Sequence, residues 1–470
     1  MLRCRAALAT LSLCIFLTAG CGSSNPPSST VASPSQSSPA PSTKNQWTWV
    51  SGSALVDQPG SYGQQGSASS TNVPPGRFGA LSWTDSSGNL WLYGGTAAPS
   101  GSGPLILGDF WKFSDGQWTW ISGSNAINQS AVYGTLGVPA PGNNPGARSD
   151  AATWTDNSGN LWLFGGLEAG ANDLWRYSNG EWTWMGGPQR TTSVNPGVYG
   201  TKGVAAASNL PSGRVSAVTW TDPSGNFWLF GGWGLDSRGF VGDLNDLWKY
   251  SNGQWTWVSG SNLSEQLSVY GTLGVPAPSN VPSGREGSTG WVDGSGNLWI
   301  FGGLSTSAGG PFVDQLNDLW RFSNGQWTWM SGSNQPNQQG VFGTQGTPSA
   351  ANAPGARSGA AAWVDSSGNF WLFSGYSATA SNHSNEPNDL WKYSNGQWTW
   401  VGGSPGITYG TYGTAGTASP TNVPGSRNWS AVWTDHSSRF WLFGGRGYGN
   451  GKASNGAVFG SLNDLWMYQP

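Results

Sequence analysis

Charge is what this chain has least of. Lys, Arg, Asp and Glu make up 9% of its 470 residues, against roughly 25% in typical domains. Its 20 basic residues form no Lys/Arg-rich run, so neither nucleic acid nor anionic lipid is expected as a partner. Two histidines, His383 and His436, are all it has. Its three cysteines, Cys4, Cys14 and Cys21, stand at or before position 21. Everything after them is without a disulfide, a thiolate nucleophile or a Cys-based metal site, and neither a metal nor another cofactor is expected. Long apolar runs are missing too: the stretch from Ala6 to Leu17 is too short to cross a bilayer.

That stretch follows Arg3 and Arg5 and precedes Thr18-Ala19-Gly20-Cys21, the layout of an export signal over residues 1–20. "LTAGC" resembles a bacterial lipobox, which implies lipidation of Cys21 as the mature N-terminus. Gly22 in place of an acidic residue implies the outer membrane. Without the leader the balance is 18 basic to 23 acidic residues, a net of −5. Residues 21–45 are Ser, Pro, Ala and Thr with almost no large apolar side chain. Such a segment cannot offset its ordering entropy and reads as a loose tether.

What the chain has in abundance is repetition, with 74 Gly and 32 Trp. An arginine recurs about every 70 residues, at Arg77, Arg148, Arg214, Arg285, Arg357 and Arg427. After each come a W-x-D triplet, an aromatic run closed by Gly-Gly, an "NDLW" segment and "QWTW". The last copy stops at "NDLWMYQP", where "QWTW" is due, and an orphan "QWTWV" stands at Gln46 to Val50. That offset reads as a ring closed by its own two ends.

Each repeat predicts four short strands, typified by Ala151 to Asp156, Asn160 to Gly166, Asn172 to Tyr177 and Glu181 to Met185. Asn-Gly pairs at Asn179, Asn252, Asn324 and Asn395, and Asp-Gly at Asp115, join the last two strands. Both suit a two-residue hairpin that needs positive φ. Gly-Gly closing the second strand, a spaced aromatic in the third and a Trp in the fourth resemble the kelch repeat, as in the central domain of galactose oxidase. The resemblance covers residues 46–470 and implies an all-β, six-bladed kelch-like β-propeller of four antiparallel strands per blade. The blades would be 77–121, 148–185, 214–258, 285–330, 357–401 and 427–468, the last completed by 46–50. Blade five departs with Ser374-Gly375, and the early strand-one His common in kelch is replaced by Ala or Ser.

Thirty tryptophans belong to the repeat, and only Trp233 and Trp429 fall outside it. Each plate buries about 150–250 Å², or about 4–6 kcal/mol gross at ~25 cal/mol/Å². Sixfold repetition favours core packing over a ligand stripe, and stacking between blades takes the place of disulfides. Each repeat arginine is expected to pair with a repeat aspartate rather than form an anion-binding ring. The aromatic-Gly pairs, Tyr62-Gly63 to Tyr412-Gly413, read as structural anchors.

Function is expected on the face carrying the long strand 2–3 and strand 4–1 connections, because asymmetry is what a specific ligand needs. Candidates are Trp233, Asp236, Arg238 and Asp243 in the third repeat, and Arg446, Tyr448 and Lys452 in the sixth. Asp150, Glu286 and Trp429 break an otherwise small or apolar series near the channel mouth. Kelch-family copper radical oxidases use a Tyr–Cys crosslink and two His ligands, which this chain does not offer. The expectation is a monomeric, exported, lipid-anchored binding module of the bacterial cell envelope. Its partner would be an envelope or extracellular protein or glycan, and its only membrane contact the lipid. Two alternatives stay open: a carbohydrate isomerase or lyase using Asp150, Asp236 and Glu286, and a purely architectural envelope protein.

Overall fold

The computed structural model describes residues 44–97, 105–166, 171–189, 195–306, 313–378, 384–451 and 458–470, all within one unit, Ser35–Pro470. No helix occurs among the described residues, and the fold is all-β, built of antiparallel, mostly four-stranded sheets consistent with a β-propeller. The third repeat shows the plan. Val218–Thr221, Phe227–Phe230, Leu247–Ser251 and Gln254–Ser259 pair in that order as a meander. The same order recurs over 81–122, 152–186, 289–331 and 361–402.

The sixth repeat supplies Ala431–Thr434, Phe440–Tyr448 and Phe459–Gln469. Its fourth strand is Gln46–Ser51 from the other end of the chain, with Trp47 opposite Tyr468 and Trp49 opposite Trp466. Asp-Gly at Asp115 and the four Asn-Gly pairs adopt the hairpin geometry expected of them, with φ between 49° and 52° at the first residue.

The W-x-D aspartate latches the first hairpin of each sheet. Asp222 Oδ1 accepts the N–H groups of Ser224 and Asn226, and Oδ2 accepts Asn226 Nδ2 and Trp228 Nε1, all within 2.9 Å. Burial alone would raise this carboxyl, but the donors from Asn226 and Trp228 outweigh it and hold the group below the usual carboxylate range.

Among the described residues, six large apolar clusters each join two consecutive sheets, and Val56 and Leu462 make a small seventh. One of the six joins the last sheet to the first, with Trp433, Trp441 and Met467 against Leu90, Leu92 and Trp118. Strand-one indoles reach across these seams: Trp83 Nε1 donates to the Trp162 carbonyl at 2.9 Å, and Trp433 Nε1 to that of Trp91 at 3.0 Å.

Two features differ from the sequence reading. The Gly-Gly pair does not end the second strand in the first, fourth and sixth repeats. It makes a bulge, after which pairing resumes as Thr96↔Ile106, Leu304↔Gln315 and Arg446↔Ser461. The second glycine, at φ near 100°, donates its N–H to the next repeat's arginine carbonyl, as Gly95 does to Arg148 at 2.9 Å and Gly445 to Arg77 at 2.8 Å. Ser374 keeps this turn in the fifth repeat at φ 58°, its hydroxyl held against the carbonyls of Pro387 and Arg427.

The strand 4–1 connections are also more ordered than surface loops need be. Each runs along the outer edge of the next fourth strand, where Gly66, Gly137, Gly203, Gly274, Gly346 and Gly416 donate N–H groups to its Trp carbonyls. Asn209 Nδ2 adds a bond to the Trp255 carbonyl, and Asn422 one to that of Trp47. The edge strand that would otherwise offer unpaired amides is covered in this way.

Candidate functional site

Six buried arginine–aspartate pairs take up most of the repeat's charge and leave little of it for binding. Arg214 grips Asp246 with both Nη groups at 2.6 and 2.8 Å, and both side chains are fully buried. Asp246 Oδ2 also accepts Trp248 Nε1 and the Tyr199 hydroxyl, each at 2.7 Å. Arg77–Asp109, Arg148–Asp173, Arg285–Asp318, Arg357–Asp389 and Arg427–Asp464 repeat the pair. The repeat tyrosine joins each except in the fifth repeat, where Phe342 takes its place. The arginines are therefore consumed inside the fold by the aspartates of "NDLW", and the Tyr-Gly anchors dock between two Trp rings.

Two residues beyond each arginine the chain reaches a second series: Gly79, Asp150, Ser216, Gly287, Gly359 and Trp429. Each donates its backbone N–H to the carbonyl of the one before it, at 2.8–2.9 Å, and Gly79 donates to Trp429. The six bonds form a cycle. All six residues have φ between 55° and 63°, a region that glycine enters freely and a bulky side chain enters only under strain. Asp150, Ser216 and Trp429 are thus strained at positions where glycine serves in the other three repeats.

The glycines make room for these neighbours. A Cβ on Gly79 would lie 2.5 Å from an Asp150 carboxylate oxygen, so that carboxylate leans over Gly79. A Cβ on Gly287 would lie 2.5 Å, and one on Gly359 2.9 Å, from the Trp429 ring, so the indole spans both glycines. Asp150 is walled in by protein yet keeps part of its surface open to water, as a group at the bottom of a recess does. Burial pushes its carboxyl up to about 6, against the pull of a hydrogen bond from Ser149.

Beside Trp429 lies a group between the fifth and sixth repeats. Asn428 pairs with Arg446 across two strands and donates Nδ2 to Glu386 Oε1 at 3.0 Å. Glu386 is 5% exposed, and its Oε2 has no hydrogen-bond partner among the described residues. Burial pushes this carboxyl up to about 7, with the Arg446 charge and the Asn428 bond pulling it partly back. Arg446 is exposed, its guanidinium 5.9 Å from the Phe78 ring and 5.1 Å from that of Phe459. Tyr448 lies against Tyr409 and Phe459, at 5.7 and 5.0 Å.

The remaining candidates are placed apart. Glu286 precedes the ring residue Gly287 and bridges by its backbone to Leu304. Trp233 is half-buried in a short ribbon, opposite Val215 and Asp243. Asp236 is fully buried at the tip of that ribbon, where it accepts the N–H groups of Arg238 and Phe240 and the Arg238 guanidinium at 2.6 Å. Asp243 Oδ2 accepts the N–H and hydroxyl of Thr306 at 2.7 and 2.6 Å. Cys21, His383 and Lys452 lie outside the described residues.

Sequence reasoning missed Glu386. Its loop has a length and composition of its own, so no comparison between repeats marks it. It also placed Asp150, Glu286 and Trp429 in one series, whereas Glu286 stands one position earlier than the other two.

No family model and no curated protein matches this chain. Among solved structures it is similar to one titled "Structure of YjhT", at 13% identity and a TM-score of 0.47, covering 83% of this chain and 95% of that one. It is also similar to a fungal alcohol oxidase of the AA5 family in complex with copper, at 14% identity and a TM-score of 0.45, covering 87% and 77%. A third is a protein of unknown function from Dyadobacter fermentans, at 10% identity and a TM-score of 0.44, covering 91% and 99%.

Proposed function

We propose that this protein is a six-bladed kelch-like propeller, closed by its N-terminal strand, that binds a glycan at the end of the axis carrying the long connections. The cycle of six backbone bonds and the pairing of Gln46–Ser51 with Phe459–Gln469 support the blade count and the closure. One observation carries the ligand class: a Trp in a strained backbone conformation, its indole spread over two glycines beside a recessed carboxyl. Strain of that kind persists where function requires it. An indole face suits the C–H face of a sugar, while Asp150, Asn428, Glu386 and Arg446 offer acceptors and donors for its hydroxyls.

The export signal and Cys21 support an exported, lipid-anchored envelope protein, tethered by residues 21–45. Replacing Cys21 by Ser should release the protein from membranes and abolish incorporation of labelled fatty acid.

A screen of the full chain against envelope and extracellular glycans tests the ligand class. Binding that is lost in both Trp429→Gly and Asp150→Asn is the expected result. A ligand that both variants hold at parental affinity would refute the site.

A second reading, a carbohydrate-active enzyme, draws support from the two raised carboxyls, since acids tuned toward neutrality suit proton transfer. Turnover of a bound glycan that stops in Asp150→Asn while binding persists would favour it over the binder.

A further inference from the structure

The face with the tight turns holds a cavity of about 400 Å³ between the first and sixth repeats. Asp115, Asp435, His436, Ser437, Arg439 and Asn89 supply its polar lining. Three of these break the repeat's own rule. Asp115 stands where four other repeats have Asn, His436 where they have Ser, Asn, Pro or Gly, and Arg439 where all five others have Asn. More than 300 residues separate Asp115 from the other two in sequence, yet the three departures share one cavity.

Arg439 does the work of two residues. Its Nε holds Asp435 at 2.6 Å, as the Asn latch does elsewhere. Its guanidinium also lies 5.6 Å from the Trp441 ring. Elsewhere a strand-three Lys or Arg covers that Trp, such as Lys112 over Trp91 at 5.8 Å, but the sixth repeat has Met467 there. Two fixed points thus set the guanidinium plane, and its Nη groups carry no protein hydrogen bond among the described residues. The exposed His436 imidazole sits over Gly88, where an added Cβ would touch it at 3.4 Å. Neither His436 nor Arg439 forms an ion pair with Asp115 among the described residues, so the departures do not amount to a clip across the seam.

We infer that this cavity is a second binding site, for a small hydroxylated carboxylate of sugar-acid type. The paired Nη groups of an arginine match a planar carboxylate. Asp115 repels a second negative charge and accepts hydroxyls, which disfavours a compact dianion such as phosphate.

The repeat itself supplies variants that preserve the fold. Arg439→Asn with Met467→Lys restores the latch and the cation used by the first repeat, and His436→Ser restores another copy's turn. Calorimetric titration of the full chain with glucuronate, glucose and inorganic phosphate at low ionic strength is the measurement. Glucuronate is expected to bind, with glucose and phosphate weaker. The double variant should lose about tenfold or more in affinity, as loss of a charge-assisted pair implies, and His436→Ser a smaller factor. Thermal melting of the same variants confirms that each is folded. No binding of glucuronate by the parent, equal binding by the folded double variant, or phosphate binding at least as tightly would each overturn the inference.

Discussion

Two sixfold series stand two residues apart in this molecule and have opposite characters. The arginine of each repeat is the same residue in the same buried pair six times over. The ring residue that follows shares one backbone conformation and one hydrogen bond, yet its side chain runs Gly, Asp, Ser, Gly, Gly, Trp. An invariant side chain marks a place where the fold is held. A fixed backbone with a free side chain is the place where, on the proposed function, the fold presents something.

The contrast can be broken from the structural side first. Removing residues up to Ser51 strips the sixth sheet of its fourth strand and uncovers Trp466 and Tyr468. The truncated chain should aggregate or lose cooperative unfolding by calorimetry, the largest effect expected here. Asp246→Ala leaves Arg214 buried and unpaired and should cost about 3–5 kcal/mol in chemical denaturation.

Asp150→Asn tests the presenting series through pH. The Asp150 carboxyl titrates higher in the folded protein than in the unfolded chain. Its contribution is therefore favourable at pH 4 and is lost as pH rises toward and past about 6. The Asn variant should match the parent at pH 4 and exceed it by about 1–2 kcal/mol above pH 7, a figure discounted for partial contact with water. Glu386, pushed up to about 7, extends the same loss to higher pH and remains in the variant.

Two smaller effects sharpen the comparison. Phe342→Tyr should give Asp389 the donor that the other five repeats have and add about 0.5–1 kcal/mol. Trp429→Gly should relieve the strained conformation and leave the melting temperature unchanged or about 1–2 °C higher, even though the proposed glycan site is gone. A loss of several degrees would mean that the indole is there for packing.

The holding series was legible in the sequence because each element recurs in most or all of the repeats and each carries a local mechanism. Asn-Gly marks a hairpin, W-x-D a turn latch, and Arg with "NDLW" a charge pair. The offset of "QWTW" likewise pointed to the partner that Gln46–Ser51 has in the structure. What stayed hidden depends on contacts between repeats. The bulge role of Gly-Gly rests on a bond to the next repeat's arginine carbonyl. The covering of the outer edges rests on glycine and asparagine donors whose acceptors lie about 50 residues away or, at Gly416 and Asn422, near the other end of the chain. Glu386 carried no signal, because a buried acid in a loop of singular length resembles any other loop carboxylate.

The ring also bears on how such a molecule can change. Because every link is made by main-chain atoms, a change of side chain, proline apart, leaves the bonding groups of the circle in place, while inserting or deleting a residue beside one would throw two links out of step. Read round the circle, the six letters G-D-S-G-G-W act as an interchangeable label on a constant frame, and relatives with the same frame could acquire new tastes by rewriting a letter or two.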